Sequence, residues 1–277
     1  MTATLSAPIR LGVVNFINTL PLIDGLEGLA DVDLVPTVPS LLIDALLAGE
    51  VEIALCSSID YQRSMEPLVV VPAGQLGCTG PTLTVRLYSQ SPIESLARVY
   101  ADTDSHTSVA LLQILLREIY AIDPEIVPYD AREHVANRRP LEWPEAMLLI
   151  GDKVVTDSPP AVRYPHQLDL GEAWLGHTGH PFVFAIWMAR QSLDAERLHT
   201  AFAVLDHQRR HNEERIDRMI HDRAVPRGWP RDLAEVYLKE RLDYAPTPER
   251  MEGLAIFFRK AHEHGIVGDC RTVHTAS

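Results

Sequence analysis

The sequence predicts an α/β fold of two lobes joined by a double crossover, with a helical C-terminal part. Three observations carry this reading. Short apolar strands alternate with helices through the first half of the chain. Two extended segments, at about 82–90 and 181–188, link strand-rich stretches. After the second of them only helices follow. The 277 residues suffice for one large domain or two small ones with a sizeable core.

Residues 9–14 read as the first strand, followed by a loop carrying Asn15, Asn18 and Thr19. A second strand at 32–35 stops at the proline break 36–39. Ser40 then reads as the N-cap of a helix in which Leu41, Leu42, Ala45 and Leu46 share a face and Gly49 is the stop. Residues 51–56 form a buried strand running into Ser57 and Ser58, and 69–72 form another. Past the extended 82–89, the segment 98–101 is a strand. The turn from Asp102 to Ser105 then opens a long helix burying Val109, Leu112, Leu116 and Ile119 at spacings of three and four. The stretch 123–144 holds one weak strand. Residues 146–150 are strongly apolar and end at Gly151 and Asp152, and 182–188 is the last strand. Helices at about 193–222, 232–241 and 248–264 complete the chain. The implied division is 1–87 plus 184–277 for one lobe and 88–183 for the other, with a ligand cleft between them.

Charge and motifs narrow the function. Lys and Arg number 25 against 38 Asp and Glu, a formal net charge of −13, which argues against nucleic acid as a partner. No apolar run approaches the length of a membrane helix. The N-terminal segment has one positive charge, Arg10, and an apolar run broken by Asn15 and Asn18, so it reads as a strand of the mature fold and not a signal peptide. Cys56, Cys78 and Cys270 share no CxxC spacing, which favours a reducing cytoplasm without disulfides or a cysteine zinc site. His207 and His211 lie four apart, but Arg209 and Arg210 between them would repel a cation, so no metal site is expected. GxGxxG, GxxxxGK[ST] and GxSxG are absent from the sequence.

What remains is a pattern of donor-rich residues at the carboxyl ends of the strands, where an open parallel sheet meets its ligand. Asn15 and Asn18 follow the first strand and Ser57-Ser58 the third. Ser105, His106, Thr107 and Ser108 follow the first strand of the middle lobe, and Gly151-Asp152 its apolar strand. Ser57-Ser58 and Ser105–Ser108 also stand at helix starts, so two such starts, one per lobe, suit a ligand with two anionic groups. Each feature is equally readable by itself as an ordinary cap or turn: Asn18-Thr19 as an Asx turn, Asp102, Asp104 and Asp152 as turn formers.

These residues carry a resemblance. Val14-Asn15-Phe16-Ile17-Asn18-Thr19-Leu20-Pro21 resembles the "YLNT-x-P" opening of chorismate dehydratases of the futalosine route to menaquinone. Five further blocks follow in the family's order: Gly49 to Tyr61 with Val38-Pro39-Ser40 ahead of it, Gly80 to Val85, Ser105 to Ser108, Leu149 to Asp152, and Asp169 to Trp174 running into Thr178 to Ala185. The related 1,4-dihydroxy-6-naphthoate synthase is less similar, its opening being "CPND"-like. The resemblance implies a fold like that of type 2 periplasmic solute-binding proteins, used in the cytoplasm as a lyase. By the same resemblance it would convert chorismate, a dicarboxylate, to 3-[(1-carboxyvinyl)oxy]benzoate without metal or organic cofactor. The implied catalytic set is Asn18, Thr84 and Asp152. The implied substrate contacts are Ser57, Ser58, Ser105, His106, Thr107, Ser108, Gly151 and Thr178. His106 stands where family members often carry Arg, and Thr84 where many carry Ser. The base is either Asp152 or the substrate's own enolpyruvyl carboxylate. A non-catalytic dicarboxylate-binding module is the alternative on the same scaffold. Neither a nucleic acid nor a membrane is expected as a partner, and homodimerisation is left open. Tyr237, Leu238 and Tyr244 of the C-terminal helices read as core.

Overall fold

Apolar strands that must be covered on both faces dictate a layered molecule, and the computed structural model, which describes residues 7–132 and 143–276, has two such layers. The strands are β1 (Ile9–Val13), β2 (Val32–Pro36), β3 (Ile53–Ser57), β4 (Leu68–Cys78), β5 (Val85–Ser89), β6 (Arg98–Asp102), β7 (Glu125–Tyr129), β8 (Ala146–Ile150), β9 (His166–Asp169) and β10 (Phe182–Arg190). One five-stranded sheet has the order β2-β1-β3-β10-β4 and the other β7-β6-β8-β5-β9. Both follow one plan: three parallel strands, then one antiparallel to its neighbours, then an outer strand. In each sheet the antiparallel strand is the one delivered by a crossing, β5 into the second sheet and β10 into the first. Sheet pairing therefore puts the two crossings at 79–84 and 179–181.

β3 and β8 are buried at every residue, which is why both read as unbroken apolar runs. β4 extends far beyond the expected 69–72, because β10 pairs along its length through two register shifts. Pro72 is tolerated there because β4 is the outer strand, where a missing N–H breaks no ladder. β9 went unread: its sequence, His-Gln-Leu-Asp, is polar, and it borders only β5.

The helices differ in detail from the sequence reading. Ser40 sits inside a 3₁₀ turn, Pro39–Leu41, and makes no capping bond. The α-helix begins at Leu42 and ends at Ala48, with Gly49 at φ +74° as its stop. The helix His106–Ile119 buries most of its circumference, including Ala110, Leu111, Ile114 and Leu115, rather than one stripe, and Ile119 is exposed. It is covered by its own sheet and also by the helices Leu170–Thr178 and Pro248–Glu263. The latter packs on β10 as well, so the C-terminal helix touches both the first sheet and a helix of the second lobe. At Gly253 it lies so near the second crossing that a Cβ would stand 2.2 Å from Pro181 O.

Glu118 fastens this junction. Its carboxylate accepts from Lys260 Nζ (2.7 Å), His264 Nε2 (2.8 Å) and His177 Nε2 (2.6 Å), so three helices meet on one side chain. Burial raises the Glu118 carboxyl, but the bonds from Lys260, His264 and His177 outweigh it and hold it down to about 2. A depressed carboxyl stabilises the fold above its unfolded pKa and loses that effect as pH falls through the folded value. Glu118→Gln is expected to cost about 1–2 kcal/mol at pH 7. Thermal melts from pH 7 to 2 should show the difference from the unaltered chain shrinking below about pH 4.5.

Candidate functional site

The carboxyl ends of β1, β3, β6 and β8 face one another across a cleft that encloses about 640 Å³, counting its mouth. Apolar side chains make most of the wall, among them Phe16, Leu55, Leu76, Ile150 and Phe184. The polar lining includes Asn18, Thr19, Ser57, Thr82, Thr84, Ser105, Ser108 and Tyr237. A mostly apolar cleft with a few converging polar groups is the ordinary form of a small-molecule site. Among the described residues that line it there is no Lys or Arg, and Asp104 is the one carboxylate-bearing residue. Its side chain is fully buried and held by Lys153 Nζ (2.6 Å) and Arg132 Nε (3.3 Å), turned away from use as a base.

Each wall is positioned by local structure. Thr19 Oγ1 donates to Val14 O (2.7 Å) and fixes the turn after β1, which leaves Asn18 on the cleft with its Oδ1 buried and unpartnered among the described residues. On the opposite lobe Ser105 caps the helix His106–Ile119, its Oγ accepting from Ser108 N (3.2 Å) and from Ser108 Oγ (3.1 Å). The first turn of a fourteen-residue helix thus meets the cleft with two hydroxyls and the positive end of its dipole.

Thr84 is set by the first crossing. Leu83 sits at φ +67°, a region unfavourable to a branched side chain. The buried Asp169 carboxylate holds it there by accepting from Thr82 N (2.9 Å) and Leu83 N (2.8 Å) while also capping Gly171 N and Glu172 N. Thr84 then points into the cleft and shares a 2.6 Å hydrogen bond with Tyr237.

Tyr237 is core, as the sequence suggests, and also reaches the cleft, which the sequence does not reveal: it is among the lining residues, its hydroxyl bonded to Thr84 and within hydrogen-bonding reach of Asn18. Its ring is buried and stacked on Trp229, with centroids 5.0 Å apart. It opens a π-type turn, Tyr237–Arg241. Burial pushes the phenol well above its usual range, so it stays protonated. Leu242 lines the cleft too, whereas Leu238 and Tyr244 are buried in the core.

The structure brings Asn18, Ser57, Thr84, Ser105, Ser108 and Gly151 together on the cleft and leaves the rest of the expected set outside its lining. Ser58 and Thr107 are fully buried and bond each other (3.2 Å) across the lobes, while Ile59 N donates to Thr107 Oγ1 (3.1 Å). Ser58 N is taken by Phe184 O (2.9 Å), so the start of the four-residue helix after β3 has its Ser58 and Ile59 amides committed within the protein. Among the described residues, the helix N-terminus that lines the cleft is that of His106–Ile119, and the one after β3 does not line it. His106 Nδ1 meets Asp60 Oδ1 of the facing lobe (2.8 Å) and turns from the cleft. Thr178 ends its helix, donating to Trp174 O (2.8 Å). Asp152 lies behind Gly151, its Oδ2 accepting from Ile17 N at 3.4 Å.

Comparison with known proteins adds to this geometry. A family model described as menaquinone biosynthesis matches residues 9–263. Chorismate dehydratase of Thermus thermophilus is 33% identical over 198 residues, covering 66% of this chain and 70% of that protein. Among solved structures, a protein from Archaeoglobus fulgidus aligns with a TM-score of 0.75 at 16% identity, over 95% of this chain and 99% of that one. The periplasmic aliphatic sulphonate binding protein SsuA of Escherichia coli aligns with a TM-score of 0.64 at 15% identity, over 96% and 95%. At such identities the structural likenesses show the fold, which is the two-lobed periplasmic-binding-protein-like one.

Proposed function

The chain belongs to the menaquinone-biosynthesis family, and on that premise we propose that it dehydrates chorismate to 3-[(1-carboxyvinyl)oxy]benzoate. The observation that carries the reading is the cleft itself, in which neutral donors from both lobes and from the first crossing converge.

Chorismate loses its C3 hydrogen and C4 hydroxyl. The electron pair of the C3–H bond forms the new C3–C4 double bond, the C4–O bond breaks with its pair, and hydroxide plus the released proton make water. The ring becomes aromatic, which drives the reaction, and no net oxidation occurs. Proton removal from carbon is the hard step, and the charge it develops spreads onto the ring carboxylate, where fixed donors can stabilise it. In this reading that carboxylate lies at Ser105 and Ser108, where the helix dipole and two hydroxyls stabilise the developing charge as an oxyanion hole does. Ser57 and Thr82 face the second carboxylate. Asn18, Tyr237 and Thr84 hold the C4 hydroxyl and donate to it as it leaves.

With Asp104 locked in ion pairs and Asp152 outside the lining, the substrate's enolpyruvyl carboxylate takes the proton. The moving units are taken as 1–87 plus 184–277 and 88–183, turning about the crossings. Closure excludes water and strengthens each contact. A reducing cytoplasm is part of the reading, with Cys56 and Cys78 buried and unpaired.

Purified protein incubated with chorismate should bleach the diene absorbance and yield the enolpyruvyl benzoate, identified by proton NMR. Binding without conversion would instead favour the carrier or sensor reading. Tyr237→Phe keeps the stacked ring but loses the donor, and is expected to lower kcat roughly tenfold with little change in KM, checked by steady-state kinetics.

A further inference from the structure

We propose that Asp152 is a positioning residue, docking the second lobe onto the turn that carries Asn18 and so holding that side chain in register with its ligand. The proposal rests on the dehydratase reading for what Asn18 does there. Its geometry is independent of that reading.

Asp152 follows β8 in the second lobe, whereas the turn Ile17–Thr19 belongs to the first. Asp152 Oδ2 accepts from Ile17 N (3.4 Å), one residue before Asn18. Gly151 beside it has φ +80°, and the Phe16 ring lies over it, about 3.7 Å from where a Cβ would stand. The same turn is gripped from a third direction, since Arg227 Nη2 donates to Asn15 Oδ1 (2.7 Å). The segment carrying Arg227 and Trp229 reaches the second lobe as well, with Gly228 against Thr156. Asp152 thus sits where both lobes and the C-terminal segment meet, immediately behind the cleft wall formed by Gly151. Its Oδ1 is buried without a partner among the described residues, so the carboxylate is directed by its surroundings and not by solvent.

The groups facing it are Arg227 and Trp229 from the C-terminal segment, Tyr237 from the π-type turn, the Ile17 amide, and Lys153 on its own short helix. Burial pushes the Asp152 carboxyl up to about 6, against the pull of the Ile17 amide, Arg227 and Lys153. Above that pH the charged carboxylate is the stronger acceptor for Ile17 N–H, and below it the docking weakens. Turnover should therefore fall a fewfold on the acid side of pH 6 through this group.

Two variants decide the role. Asp152→Ala removes the acceptor and should lower kcat roughly tenfold, a misplacement effect. It should also speed hydrogen exchange at the Ile17 amide. Asp152→Asn keeps an acceptor oxygen that does not titrate. It should retain kcat within about threefold, keep Ile17 exchange slow, and lose the acid limb near pH 6. A base, by contrast, contributes ~10²–10⁴. An Asp152→Asn enzyme as crippled as Asp152→Ala would overturn the proposal in favour of direct proton transfer. Should the unaltered protein leave chorismate untouched, the function reading fails separately. Ile17 exchange then decides this proposal, which an unchanged rate in Asp152→Ala would end.

Discussion

Asn18→Ala is expected to lower kcat for chorismate by roughly 10²–10³, the usual loss for one preorganised donor at a reacting oxygen. Asn18 is nearly buried, lines the cleft from the first lobe, and stands within reach of the Tyr237 hydroxyl with its own Oδ1 unpartnered. That arrangement suits a side chain that accepts the C4 O–H while its amide and the phenol donate toward the leaving oxygen. The interaction strengthens as the C4–O bond breaks, so the loss should fall on kcat and far less on KM. The turn is fixed by Thr19 and by Asp152, neither of which touches the Asn18 side chain, so the melting temperature should change little. Steady-state kinetics beside a thermal melt checks both halves. An Asn18→Ala enzyme at wild-type kcat would remove Asn18 from the mechanism.

Asp169→Ala is expected to be among the most destabilising single changes in the protein, at about 3–5 kcal/mol. One buried carboxylate accepts from the amides of Thr82, Leu83, Gly171 and Glu172, and Arg86 Nη2 lies 3.6 Å away. Removing it strands these donors where water does not reach and releases Leu83 from its left-handed conformation. Gly171 gives no room for repair, since a Cβ there would lie 2.5 Å from Gly80 O. Because Thr84 follows Leu83 directly, protein that remains folded should also lose activity. Urea unfolding at pH 7 measures the first effect, and kinetics well below the midpoint the second. Asp169→Asn, which keeps one acceptor, should fall between. A cost under 1 kcal/mol for the alanine variant would contradict this account of the crossing.

The comparison of sequence with structure follows the physics of each element. β3 and β8 were legible because strands buried on both faces must be apolar throughout. The donor-rich strand ends were legible in outline, since topology alone brings them to one cleft. β9 was not, because a short polar strand bordering a single neighbour has neither an apolar run nor strict alternation. Ser58 and Thr107 look like ligand contacts along the chain. Their bond to each other depends on how the lobes meet, which no local pattern records. His106 likewise finds Asp60, forty-six residues away. Tyr237 does pack in the core as its apolar surroundings suggest, and the bond from its hydroxyl to Thr84, 153 residues away, is what no local pattern records. The one signal available was its place in a helical tail that had to return to the first lobe beside the strand ends.

The account turns on where chorismate sits. A crystal structure of Asn18→Ala with chorismate bound tests that most directly, because slowed chemistry preserves the substrate while the remaining donors stay in place. The expected result is the ring between the lobes, one carboxylate within hydrogen-bonding distance of Ser105 and Ser108, the C4 hydroxyl toward Thr84 and Tyr237, and the enolpyruvyl carboxylate folded over C3. Chorismate bound elsewhere, or a cleft that excludes it while turnover proceeds, would contradict the assignment of this site.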